Sequence, residues 1–143
     1  MMPMRPSADV IERRLAHQRR LLVELDALDN RTAKALSDSA IVRAATERMI
    51  QAVVDLALDI NAHVASTVLG QAPGTGRESF DLMAEAGVIA HLLADQLKPA
   101  VGLRNVLVHL YADIDMEIVA ESIDDFLAGF RDYVRSVARW LVK

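Results

Sequence analysis

Four side chains suited to acid–base or phosphate chemistry fall within eight residues: Arg104, Asn105, His109 and Tyr111, in Arg104-Asn105-Val106-Leu107-Val108-His109-Leu110-Tyr111. Histidine titrates near neutrality and can give or take a proton. Arginine is a permanent, forked donor matched to phosphate oxygens. Cleaving an RNA phosphodiester without a metal needs little more. The 2′-hydroxyl must lose a proton, the 5′-oxygen must gain one, and charge building on the phosphate oxygens must be met. Asn105 could fix the imidazole or hold substrate, and Tyr111 offers a hydroxyl beside Arg104. One histidine supplies only half of acid–base catalysis, and a symmetric dimer would bring two such stretches together. Taken singly, His109 is more often a surface or core histidine and Tyr111 a packing residue; the combination makes the stretch a candidate.

Run as an α-helix at about 100° per residue, with Arg104 at zero, Tyr111 falls roughly 20° away, Asn105 about 100° and His109 about 140°. Leu103, Val106, Leu107 and Leu110 crowd the opposite face, as a helix docked on a core requires. Other chemistries find less support. There is no cysteine, hence no disulfide, thiol nucleophile or thiolate metal site. His17, His63 and His91 are scattered, and the paired-histidine zinc motif is absent. Neither a metal nor a cofactor is expected. The glycine-rich loop Gly70–Gly76 lacks both the Gly-Lys-Ser/Thr ending and a preceding strand, so it is not read as a phosphate-binding loop.

The elements that must position the stretch are helical. The 143 residues suit one domain, 1–143, with residues 1–6 a loose lead-in. Hydrophobic residues make up 52% and charged residues 25%, a globular composition. No uninterrupted apolar run reaches the roughly 18–20 residues that span a bilayer, and a cytoplasmic location is expected. The net charge of −4 counts mildly against a dedicated duplex-binding protein. Ser7 is read as the N-cap of a first helix reaching about Asp29, whose Arg13, Arg14, Arg19 and Arg20 form a solvated face. A short helical turn is placed within 31–38, and Ser39 opens a long helix to about Leu69. One face of that helix carries Arg48, Asp55 and Asp59 nearly in line among small residues, read either as a surface row or as groups partly buried by a neighbouring helix or subunit. A short helix starts at Glu78 or Ser79 and stops near Gly87, and another spans Val88 to Leu97. A helix starting or kinked at Pro99 carries the stretch to about Tyr111. Ala112–Ile114 is a turn, and Asp115 caps a last helix with Arg131, Arg135, Arg139 and Lys143 along one face. The expected architecture is an all-α antiparallel bundle of four or five main helices.

At Arg104-Asn105-x-x-x-His109-x-Tyr111 the sequence resembles the Arg-x4-His-x-Tyr signature of HepT-type toxins in the HEPN superfamily. Glu47-Arg48, Asp55-Leu-Ala, Phe80 and Ala86-Gly87-Val88-Ile89 agree with the resemblance, which spans roughly residues 9 to 142. It implies an all-α homodimer acting as a metal-independent endoribonuclease on RNA. Arg104 and His109 would be the catalytic pair in a cleft at the dimer interface, with Asn105 supporting them. An MNT-type nucleotidyltransferase antitoxin would silence the enzyme by transferring AMP to Tyr111. Arg48, Asp55 and Asp59 would be supporting or interface residues. Two alternatives remain beside the toxin: a non-catalytic helical module that binds a nucleotidyltransferase, and a plain structural bundle.

Overall fold

The computed structural model describes residues 7–28, 30–109 and 114–143. The expected lead-in 1–6, and the positions Asp29, Leu110, Tyr111, Ala112 and Asp113, lie outside the described residues. Six α-helices occur among the described residues: α1 Ala8–Asp26, α2 Ala33–Asp38, α3 Ala40–Val64, α4 Gly76–Glu85, α5 His91–Val108 and α6 Met116–Leu141. Local chemistry starts most of them. Ser7, Thr32, Ser39, Thr75 and Asp115 are extended residues whose side chains accept from the first-turn amides. Capped by Thr75, α4 starts at Gly76, two or three residues before the expected Glu78 or Ser79. A π-helical turn, Ala65–Leu69, continues α3 and ends at Gly70, where φ is +65°.

Four long helices make the bundle and two short ones close it. Arg14 meets Asp59 while Gln18 meets Val53, so α1 and α3 run antiparallel. Arg104 meets Asp55 and Gln51 meets Leu107, so α3 and α5 are antiparallel as well. The N-terminal part of α6 covers α2, and α6 also packs on α1 and α5. By length and apolarity alone, Ala40–Leu69 could cross a membrane. In the fold it is the central core helix: Ile50, Val53, Val54, Ala57, Ile60 and Val64 are buried, and α1, α4 and α5 pack around it.

The largest core side chains are aromatic. Phe80 and Phe130 each meet Tyr133 edge-on. The buried Tyr133 hydroxyl donates to Asn61 Oδ1 (2.7 Å), Asn61 Nδ2 donates to Ser79 Oγ (3.0 Å), and Ser79 Oγ donates to the Gly76 carbonyl (2.6 Å). The chain of bonds satisfies each polar group that burial would otherwise penalise. It also pins α4 and α6 to α3.

Two expectations about the motif helix are corrected. The separate helix over Val88–Leu97 and the break at Pro99 are replaced by one helix, α5, with Pro99 inside it. Val88 and Ile89 are buried but lie in the turn after Gly87, where φ is +77°. Proline removes one amide donor and disfavours helix before it. Leu93, Ala94, Leu97 and Val101 nevertheless form one buried stripe across it, and this packing carries the helix through. The second correction concerns its end. The helix stops at Val108, and His109 is its C-cap with φ −85° and ψ 88°. Val106, expected on the buried face, is 45% exposed. Leu107, one helical step away, is fully buried and takes the seat in the core.

Candidate functional site

The site is assembled from two helices. Arg104 stands in the last turn of α5, half-buried, and its Nε donates to Asp55 Oδ1 of α3 at 2.7 Å. Its Nη1 donates to Asn105 Oδ1 at 3.2 Å. Three of the five guanidinium hydrogens remain, and Nη2 donates to no described residue. A guanidinium tethered through Nε and Nη1, with Nη2 donating to no described residue, suits an anion clamp.

A second tie lies one turn back along α3. Gln51 Nε2 donates to the Leu107 carbonyl at 3.2 Å. That carbonyl belongs to the last turn, where no later amide of the helix can satisfy it. The bond therefore fixes the end of α5 two residues before His109. His109 is exposed, and its amide donates to the Val106 carbonyl at 3.2 Å. Gln51 and Asp55 are four residues apart, so one face of α3 holds both halves of the motif.

The row Arg48–Asp55–Asp59 divides. Asp55 is taken up by Arg104. Asp59 instead faces Arg14 of α1 at 3.9 Å and stays largely exposed. Arg48 is exposed and makes no ion pair with a described residue. The four-residue step advances about 40° around the helix, and α1 and α5 flank α3 on different sides. Collinearity in sequence thus becomes separation in space. Asn105, expected to serve the imidazole or substrate, offers its carbonyl oxygen to Arg104. Tyr111 lies outside the described residues. Gln51 was missed by the sequence reading. Its only signal was its place one turn before Asp55.

The described surface around the motif is apolar as well as charged. Val106 and Val108 are 45% and 42% exposed beside Asn105 and His109.

The described residues form an all-α bundle of six helices with Arg104 and His109 at the end of one of them. The fold superposes with a TM-score of 0.81 on a tri-AMPylated HEPN toxin of Shewanella oneidensis, in complex with an MNT antitoxin, at 24% identity, covering 93% of this chain and 99% of that one. The family model for HepT-like ribonucleases matches residues 11–137, and the chain belongs to that family. A tRNA nuclease HepT of Aphanizomenon flos-aquae is 33% identical over 133 residues, covering 93% of this chain and 90% of its relative. An mRNA nuclease HepT of Shewanella oneidensis is 33% identical over 99 residues, covering 69% and 70%.

Proposed function

We propose that the protein is the toxin of a HEPN/MNT pair, a cytoplasmic, metal-independent endoribonuclease that acts as a homodimer through Arg104 and His109. The arginine tethered by Asp55 and Asn105 at 2.7 Å and 3.2 Å, with Nη2 unclaimed by any described residue, is the observation that carries this reading. The two HepT relatives that are RNA nucleases support the substrate class.

In the reaction, one imidazole takes the proton of the 2′-hydroxyl. The 2′-oxygen attacks phosphorus, and the bond from phosphorus to the 5′-oxygen breaks. The proton is returned to the leaving 5′-oxygen, giving a 2′,3′-cyclic phosphate and a free 5′-hydroxyl. Arg104 meets the charge on the non-bridging oxygens. The partner copy would supply the second acid–base group, and Val106 and Val108, exposed beside the motif, would be covered at that interface. Arg48 would serve the same interface. AMP transferred by the antitoxin to Tyr111 would put phosphate beside Arg104 and compete with RNA.

The test is cleavage of RNA by the purified protein in EDTA, with and without His109→Ala. Because His109 is exposed and caps the helix through its backbone, the variant is expected to fold normally and to lose about 10²–10⁴-fold in rate. Undiminished cleavage would remove the catalytic assignment. Intact mass after co-expression with an MNT-type nucleotidyltransferase tests the silencing. AMP increments are expected on the wild type and not on Tyr111→Phe. A stable complex without cleavage would instead favour the non-catalytic binding module.

A further inference from the structure

Between α1 and α6, on a side of the bundle to which neither α5 nor α3 contributes, runs an open groove of about 600 Å³. Its charged lining is of one sign. Arg19, Arg131, Arg135 and Arg139 border it, and no carboxylate does. This contrasts with a chain whose net charge is −4. Arg131 is engaged by Asp26 at 2.8 Å and Arg135 by Asp132 at 3.3 Å. Arg19 and Arg139 make no ion pair or hydrogen bond with any described residue. The floor is aliphatic: Leu22 and Val134 are buried, with Ala138 between them and the rim. Val23 and Val142, at 68% and 82% exposure, stand open at the edge.

We infer that this groove is a docking surface for an acidic amphipathic helix of a partner protein, separate from the RNA-cleaving end of α5. Three features choose that occupant. A channel bounded by two helices matches a third helix laid into it, with aliphatic residues at three- and four-residue spacing as anchors. The two arginines on opposite walls that pair with no described residue call for carboxylates flanking those anchors. Single-stranded nucleic acid would need stacking platforms, and no aromatic residue lines the groove.

The experiment is selection of a displayed library of amphipathic helices against the purified full-length protein. One face of the library varies among Leu, Ile, Val, Ala and Ser; the flanks vary among Asp, Glu, Lys, Arg and Gln. Enrichment of aliphatic faces with Asp/Glu flanks is expected. The leading peptide, synthesised and titrated by fluorescence anisotropy, should bind at least about tenfold more weakly to Arg19→Ser/Arg139→Ser. Both arginines are exposed and pair with no described residue, so the double variant should keep the wild-type melting temperature. Neutral or basic flanks, no enrichment, or equal affinity for the double variant would overturn the inference. So would displacement of the peptide by a short single-stranded RNA, which would make the groove a nucleic-acid surface. Self-association that disappears in the double variant would overturn it too, by making a second copy the occupant.

Discussion

Asp55 Oδ1 lies 2.7 Å from Arg104 Nε, across 49 residues of chain and between two different helices. The carboxylate holds the guanidinium through Nε while Asn105 accepts from Nη1; in the proposed reaction Nη2, which donates to no described residue, would meet the phosphate. Misplacement of a reacting group by an ångström can cost about 10²-fold. Asp55→Ala is therefore expected to lower kcat on RNA by about 10–100-fold with a smaller change in KM. Asp59→Asn is the control. Its carboxylate faces Arg14 on the other side of α3, so cleavage should stay within about twofold of wild type. Equal losses in the two variants would show that the carboxylate row acts through general electrostatics and not through orientation.

Gln51 has a different task, since it holds backbone and not a charged side chain. Gln51→Leu keeps the volume and removes the donor to the Leu107 carbonyl. The expected loss of stability is about 1 kcal/mol, the usual worth of one such bond. The turn that ends at His109 should loosen more than the fold does. Hydrogen exchange of the His109 amide is expected to speed up while the amides of the α5 core stripe keep their protection. If all of α5 exchanges faster together, Gln51 is a packing residue only.

The Tyr133 phenol is fully buried, and burial pushes its pKa well above the ordinary value. The fold therefore favours the neutral phenol. Its contribution is fully present below the unfolded value of about 10 and declines as pH rises from there toward the folded value. Tyr133→Phe leaves Asn61 Oδ1 without its donor and is expected to cost about 1–3 kcal/mol at neutral pH. Thermal melts across the alkaline range should fall more gently for the variant than for wild type above about pH 10. Parallel curves would mean that another group governs alkaline unfolding.

At the opposite end of the scale stands Asp26, whose pKa is lowered from 3.8, first by the hydrogen bond from Arg31 and then by the one from Arg131. A depressed carboxylate stabilises the fold above its unfolded pKa, and that contribution disappears as pH falls through the folded one. Asp26→Asn should melt below wild type at neutral pH, with the gap closing as pH drops below the carboxylate range. A gap independent of pH would assign the effect to packing.

What could be read from the chain divides along the range of the interactions involved. Ser7, Ser39 and Asp115 were recognisable as helix starts because an N-cap acts on amides two or three residues away. The all-α bundle and a last helix opening at Asp115 followed from helical periodicity and capping. Pro99 misled for the complementary reason. Its local preference is to start a helix, and tertiary packing of Leu97 and Val101 overrides it. The grouping of Arg104, Asn105 and His109 was legible as composition, whereas the helix end at Val108 was not. The partnership of Arg104 with Asp55 depends on which helices become neighbours, and so does the separation of Asp55 from Asp59. No local pattern encodes either. Gln51 was invisible because a glutamine that caps a distant carbonyl looks like any surface amide.

Chain order gives α6 one more consequence. It packs against α5 and helps enclose the buried stripe behind the motif, with Phe126, Phe130 and Tyr133 among its core residues. Yet it follows His109 in the chain, and 26 of the 143 residues belong to it. A ribosome making this protein synthesises α5 before the helix that packs against it. Until α6 leaves the exit tunnel, α5 lacks one wall of its seat. In chain order, the complete seat of α5 thus forms only once α6 has been made.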